Sequence, residues 1–173
     1  MRLFIAAQFN NIILNELIKL QDYWKSLGMK GHFAPLENLH LTLAFIGEYK
    51  DPDYVAQTLE TVTFSPFSIQ LDGIGNFNDL YYAGIVKNNE MSNSVKRIRR
   101  ALADNNIPYD RKRFAPHITL IRSAVYDGKT ENLTKNPPKG EMIIDTFSLM
   151  SSTRGKNSMI YKTIASYPHD FMN

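Results

Sequence analysis

The sequence predicts a mixed chain of strands and helices, folded as two similar lobes about a pseudo-twofold axis. Three observations predict it. A strand–helix–strand order occurs twice along the 173 residues. The closing strand of each copy carries the same kernel, Leu39-His40-Leu41-Thr42-Leu43 in the first and Pro116-His117-Ile118-Thr119-Leu120 in the second. The copies are also matched in length, since Leu3 stands 37 residues before His40 and Tyr82 stands 35 before His117. Such repetition is the signature of internal duplication.

The elements follow in order. Residues 2–9 alternate Leu3, Ile5, Ala7 and Phe9 and read as a strand. Asn10 or Asn11 can cap a helix whose apolar positions, Ile13, Leu14, Leu17, Leu20, Trp24 and Leu27, recur at three and four before Gly28. Residues 39–46 read as a strand, and Asp51-Pro52 opens a helix with Val55, Leu59 and Val62 on one face. Residues 67–71 form a further strand, and 73–78 a Gly-containing joint. The pattern then restarts with a strand at 81–86. Ser92 or Ser94 opens a helix using Val95, Ile98, Ala101 and Leu102, and a strand follows at 117–121. Residues 135–140, Lys-Asn-Pro-Pro-Lys-Gly, read as a loop. Strands at 142–150 and 159–166 close the chain, joined as a hairpin across the turn-rich 153–157.

Composition narrows the function. At 43% hydrophobic and 21% charged, the chain can bury a core and is expected to form one domain over residues 1–173. With no cysteine it has no disulfide, thiolate nucleophile, iron–sulfur cluster or Cys-type zinc site. No apolar run approaches the ~20 residues needed to span a bilayer, and the polar start lacks a signal-peptide pattern, so a cytoplasmic protein is expected. The net charge of +3 permits an anionic substrate without announcing a nucleic-acid binder.

The chemistry lies in the repeated kernel. A strand alternates its side chains, so His40 and Thr42 share one face while Leu39, Leu41 and Leu43 share the other. His117 and Thr119 repeat this against Ile118 and Leu120. With four histidines and ten threonines in the chain, chance predicts roughly 0.2 His-x-Thr tripeptides, so two in matched apolar frames point to function. Set side by side, the strands bring two imidazoles and two hydroxyls to one cleft. One imidazole can accept a proton while the other gives one, at neutral pH and without a metal. The hydroxyls suit the non-bridging oxygens of a phosphate. In-line displacement at phosphorus fits such a pair, and a strained 2′,3′-cyclic phosphate is its natural target.

These stretches, Asn38-Leu39-His40-Leu41-Thr42-Leu43-Ala44-Phe45-Ile46-Gly47 and Phe114-Ala115-Pro116-His117-Ile118-Thr119-Leu120-Ile121-Arg122, resemble the two signature motifs of the 2H phosphoesterase superfamily. Within it the chain resembles the RNA 2′,3′-cyclic phosphodiesterases, also named 2′-5′ RNA ligases. Arg2-Leu3-Phe4-Ile5-Ala6 is similar to that family's start, and Ser152 and Tyr161 fall where its C-terminal hairpin has them. The resemblance implies a bilobal α+β fold, two antiparallel sheets forming a V-shaped cleft with helices outside. It implies metal-independent hydrolysis of RNA 2′,3′-cyclic phosphate ends to 2′-phosphates, with the reverse 2′-5′ joining as a companion reaction. By position His40 would be the proton donor and His117 the proton acceptor, although the residues themselves permit the swap. Thr42, Thr119 and Arg122 would hold phosphate. No cofactor or metal is implied, RNA or an oligonucleotide with a cyclic phosphate end is the partner, and a monomer is expected. Other readings are a phosphodiesterase for 2′-5′ oligonucleotides or small cyclic nucleotides, and a non-catalytic reader of nucleotides or RNA.

The chain departs from the family in two places. It has Gly31-His32-Phe33 where the family often has an Arg-Trp pair, and Ser158-Met159-Ile160 where Gly-Pro is frequent. Both are expected at the cleft rim. By strand parity Arg122 falls with Ile118 and Leu120, away from His117, unless the strand ends or bulges first. It serves either a phosphate or a structural ion pair. Arg111-Lys112-Arg113 could guide an RNA backbone, whereas Lys96, Arg97, Arg99 and Arg100 read as a solvated helix face. Phe9, Phe45, Phe77, Tyr81 and Tyr82 are aromatic candidates for stacking a base, with no single one favoured. His32 reads as a solvent-facing loop residue and His169 as uninvolved.

Overall fold

The computed structural model describes residues 1–168; His169 lies outside them. Its elements are β1 (Arg2–Ala7), α1 (Asn11–Ser26), β2 (Lys30–Phe33), β3 (Leu41–Glu48), α2 (Pro52–Glu60), β4 (Phe67–Phe77), β5 (Leu80–Ile85), α3 (Asn89–Asp104), β6 (His117–Val125), α4 (Thr130–Leu133), β7 (Glu141–Ile144), β8 (Phe147–Arg154) and β9 (Met159–Tyr167). Two antiparallel sheets organise them, one in the order β3-β1-β8-β9 and the other β2-β6-β5-β4-β7.

The two halves are alike in detail. Both α1 and α3 have 16 residues, and both open on an asparagine whose side chain accepts the backbone N–H three residues on, Asn10 from Ile13 and Asn88 from Met91. That bond satisfies one of the orphan donors of a helix start. The duplication is also interleaved, for β4 follows the first histidine strand yet joins the sheet of the second half. Conversely, β8 follows the second histidine strand and pairs with β1 of the first half.

Leu3, Ile5 and Ala7 of β1 point into a continuous core with Leu17, Trp24, Leu41, Leu43, Ile118 and Leu120. The opposite face of β1 presents Phe4 and Ala6, which with Met150, Phe45 and Tyr161 make a separate apolar patch. One strand thus builds both the core and the floor of a cleft.

Several boundaries differ from the sequence reading. Helix α3 begins at Asn89 and not at Ser92 or Ser94, because Asn88 takes the cap while Ser94 is buried and donates to the Ser65 carbonyl at 2.9 Å. The expected strand over 142–150 is two strands in different sheets, β7 and β8. Asp145 and Thr146 are consecutive exposed residues between buried Ile144 and Phe147, which breaks the period of two. Strand β4 runs on to Phe77 through the expected joint, because Gly73, at φ 71°, forms a bulge opposite Gly84. The expected loop around His32 is the edge strand β2, paired with β6.

Candidate active site

His40 stands just ahead of β3 and His117 opens β6. Each ring is fixed in the same way. His40 Nδ1 lies 2.7 Å from the Asn38 carbonyl, and His117 Nδ1 lies 2.8 Å from the Ala115 carbonyl, two residues back in both cases. A carbonyl can only accept, so each Nδ1 carries the hydrogen and each Nε2 is left to trade protons. Thr42 Oγ1 lies 2.8 Å from His40 Nε2 and donates to it while the ring is neutral. Among the described residues, none bonds His117 Nε2.

Burial pushes the His40 pKa below the usual imidazole value. The bond to Asn38 opposes this, and the nearby charges of Arg122 and His117 add to the lowering. Those two charges place both strands within electrostatic reach of His40. Aromatic rings frame each imidazole. Phe4 and Tyr161 have centroids 5.0 and 5.5 Å from that of His40. Phe77 and Tyr82 both stand 5.3 Å from His117. Tyr82 lies flat across Gly75, where an added Cβ would overlap the phenol ring.

Both histidine strands bulge one residue after the threonine. In β3 the register passes from Thr42, opposite Ala6, to Ala44, opposite Ile5, and both Leu43 and Ala44 are buried. In β6 it passes from Thr119, opposite Tyr82, to Ile121, opposite Tyr81, and both Leu120 and Ile121 are buried. An extra residue flips the parity of everything after it. Arg122 therefore joins His117 and Thr119 on the cleft face, and Phe45 joins His40 and Thr42. The bulges are held alike. Gln21, 2% exposed on the core face of α1, donates Nε2 to the carbonyls of Leu120 and Ala34 at 2.9 Å each. Arg99, at the matching position of α3, directs Nε to the Leu43 carbonyl at 3.4 Å and Nη1 to the Lys112 carbonyl at 2.8 Å.

A cavity of about 870 Å³ opens between the sheets, walled by His40, Thr119 and Arg122, by Gly31 to Pro35, and by Arg154 to Met159 with Tyr161. His117 and Thr42 stand outside that lining. Among the described residues no group of three or more His, Asp or Glu could hold a metal ion, and no helix is long and apolar enough to cross a membrane.

Comparison with known proteins agrees with this geometry. The family model described as the 2′-5′ RNA ligase superfamily matches residues 18–156. The chain belongs to the 2′-5′ RNA ligase superfamily. Two curated relatives are both named RNA 2′,3′-cyclic phosphodiesterase. The one from Thermotoga maritima is 27% identical, over 95% of this chain and 93% of its own. The one from Methanocaldococcus jannaschii is 29% identical, over 95% and 98%. Among solved structures, E. coli LigT complexed with 3′-AMP superposes with a TM-score of 0.79 at 23% identity, covering 96% of each chain. The fold is therefore the bilobal α+β arrangement of this superfamily.

Against that frame the sequence-derived site residues sort clearly. His40, Thr119 and Arg122 line the cavity, His117 and Thr42 share strand faces with Thr119 and His40 outside that lining, and the bulge decides the parity of Arg122. Among the described residues Arg122 has no ion-pair partner. His32 is exposed on β2, cross-strand from Arg122, and lines the cavity. Both departures from the family pattern do border the cavity. Of the aromatics, Phe77, Tyr82 and Phe45 reach the cleft, whereas Tyr81 packs on Trp24 and Phe9 is buried. Arg99 is not a solvated charge, since it sits between the rings of Tyr109 and Phe114 and holds the first bulge. The sequence reading missed Gln21, although a glutamine between Leu17 and Trp24 on an apolar helix face is a visible signal of a buried donor.

Proposed function

We propose that this protein hydrolyses the 2′,3′-cyclic phosphate ends of RNA to 2′-phosphomonoesters by acid–base chemistry between His40 and His117. In this reading one domain of two like lobes supplies one proton handler from each lobe. Water attacks phosphorus and gives its proton to His117 Nε2. The bond from phosphorus to the 3′ oxygen breaks, and His40 Nε2 protonates that oxygen as it leaves. Thr42, Thr119 and the Arg122 guanidinium hold the non-bridging oxygens, where charge accumulates. The observation that supports this is the matched tethering of both Nδ1 atoms to backbone carbonyls, which leaves Nε2 of each ring as the nitrogen that can exchange a proton. The relatives' names support the substrate class.

The test is incubation with an RNA ending in a 2′,3′-cyclic phosphate, in EDTA, followed by identification of the hydroxyl that keeps the phosphate. Retention on the 2′ oxygen at undiminished rate is expected. A 3′-phosphate product, or loss of turnover in chelator, would overturn the proposal.

A further inference from the structure

The cavity holds more positive charge than its reacting end requires. A cyclic phosphodiester carries one negative charge, and in the proposed reading Arg122, two threonine hydroxyls and the imidazoles already serve it. Yet Arg154 and Lys156 also line the same cavity, at the turn between β8 and β9. No lining residue is acidic, and among the described residues neither Arg154 nor Lys156 has an ion-pair partner. Like charges gathered without counter-ions repel one another, and an anion that binds among them relieves the repulsion.

The turn is also held in place. Gly155 N–H donates to the Ser158 carbonyl at 2.9 Å, and a Cβ at Gly155 would crowd that carbonyl and the Ile160 side chain. Asn38 Nδ2 donates to the Met159 carbonyl at 2.8 Å, while the Asn38 carbonyl accepts from His40. One residue thus ties the basic turn to the catalytic ring.

We infer that Arg154 and Lys156 form a second phosphate subsite, which holds an internucleotide phosphate of a chain whose cyclic end lies between His40 and His117. The inference rests on the proposed function and narrows its substrate class to oligonucleotides, as against free cyclic mononucleotides. Lys and Arg contacts of this kind give affinity without reading base identity.

The test compares the wild type with the double variant Arg154→Ala/Lys156→Ala. The probes are a fluorescein-labelled five-nucleotide RNA bearing a 3′-phosphate and the matching 3′-mononucleotide, read by anisotropy and competition. The pentanucleotide is expected to bind the variant at least about tenfold more weakly, with a log Kd against log salt slope shallower by about 0.7 per lost contact. Mononucleotide affinity is expected to stay unchanged. Equal weakening of both ligands, or an unchanged pentanucleotide affinity, would overturn the subsite. Because these probes need no turnover, the outcome stands apart from that of the hydrolysis assay. Failure to open a cyclic phosphate would remove the proposed activity alone.

Discussion

The His40 and His117 sides share a backbone and differ in what surrounds it. Each has an imidazole tied back to a carbonyl, a threonine two residues on, a bulge, and a helix side chain gripping that bulge. After the bulge, however, one side presents Phe45 and the other Arg122. Phe45 joins Phe4, Met150 and Tyr161 in an apolar floor, with the Arg2 guanidinium 5.0 Å over its ring. Arg122 stands open beside His32 and Ser123 at the cavity wall. The two copies keep the geometry that tethers each imidazole and differ at the position after the bulge. A symmetric site would treat both ends of a phosphodiester alike. This one sets a guanidinium on one half and an apolar floor under the other.

The largest effects test what the two sides have in common. His40→Ala and His117→Ala are each expected to lower kcat by about 10²–10⁴, the usual worth of a positioned acid or base. The double variant should be little worse than either single, because the two groups act on one step. Steady-state kinetics on a cyclic-phosphate RNA measures this, and losses that multiply would separate the two roles.

The next effect tests the difference. Arg122→Ala should cost about 10²-fold in kcat/KM, the scale of removing one donor to developing charge. Arg122→Lys should recover only part of it, because a point charge replaces a two-pronged fork. Phe45→Ala at the equivalent position should leave kcat near the parent value. If Phe45→Ala were as damaging as Arg122→Ala, the asymmetry would have no functional meaning.

Smaller and indirect effects follow from the helix residues that hold the bulges. Gln21→Leu takes the side-chain donor from the half-buried Ala34 carbonyl and leaves the buried Leu120 carbonyl only the Ala34 N–H, and should cost about 1–3 kcal/mol of stability. It should also lower kcat/KM, but only while Arg122 is present; in an Arg122→Ala background that loss should vanish. Arg99→Leu should destabilise comparably and spare kcat, since the bulge it holds serves Phe45. A kinetic loss for Gln21→Leu that persists without Arg122 would mean that Gln21 acts elsewhere.

The pair also shows how far the sequence could be read. The duplicated kernel gave His40, Thr42, His117 and Thr119, because alternation along a strand is a local rule. It left the face of Arg122 open, because a bulge depends on partner strands and on a donor almost 100 residues away in Gln21. The same limit explains the strand expected over residues 142–150. Its apolar pattern shows that both pieces are strands, whereas their separation into different sheets depends on long-range pairing with β4 and β1. Caps were legible at Asp51, and at Asn10 as one of two adjacent asparagines, where local chemistry decides. Asn88 escaped notice because two serines downstream offered equally good local chemistry.

The smallest effect concerns burial on the His40 side and is read in stability. Burial is the main reason that the His40 pKa falls below 6.5. Well above that value the ring is neutral whether the chain is folded or not, and pH has no effect through it. As pH falls, the unfolded ring takes up a proton first while the folded ring resists. Unfolding then consumes protons, so stability drops with falling pH until the folded ring is protonated too. His40→Gln, which cannot titrate, should flatten this part of the dependence. Denaturant melts of parent and variant from about pH 8 to about pH 5 measure the difference in slope. Parallel curves would show that His40 is as well solvated folded as unfolded. The two sides would then differ in Arg122 alone, and not in dryness.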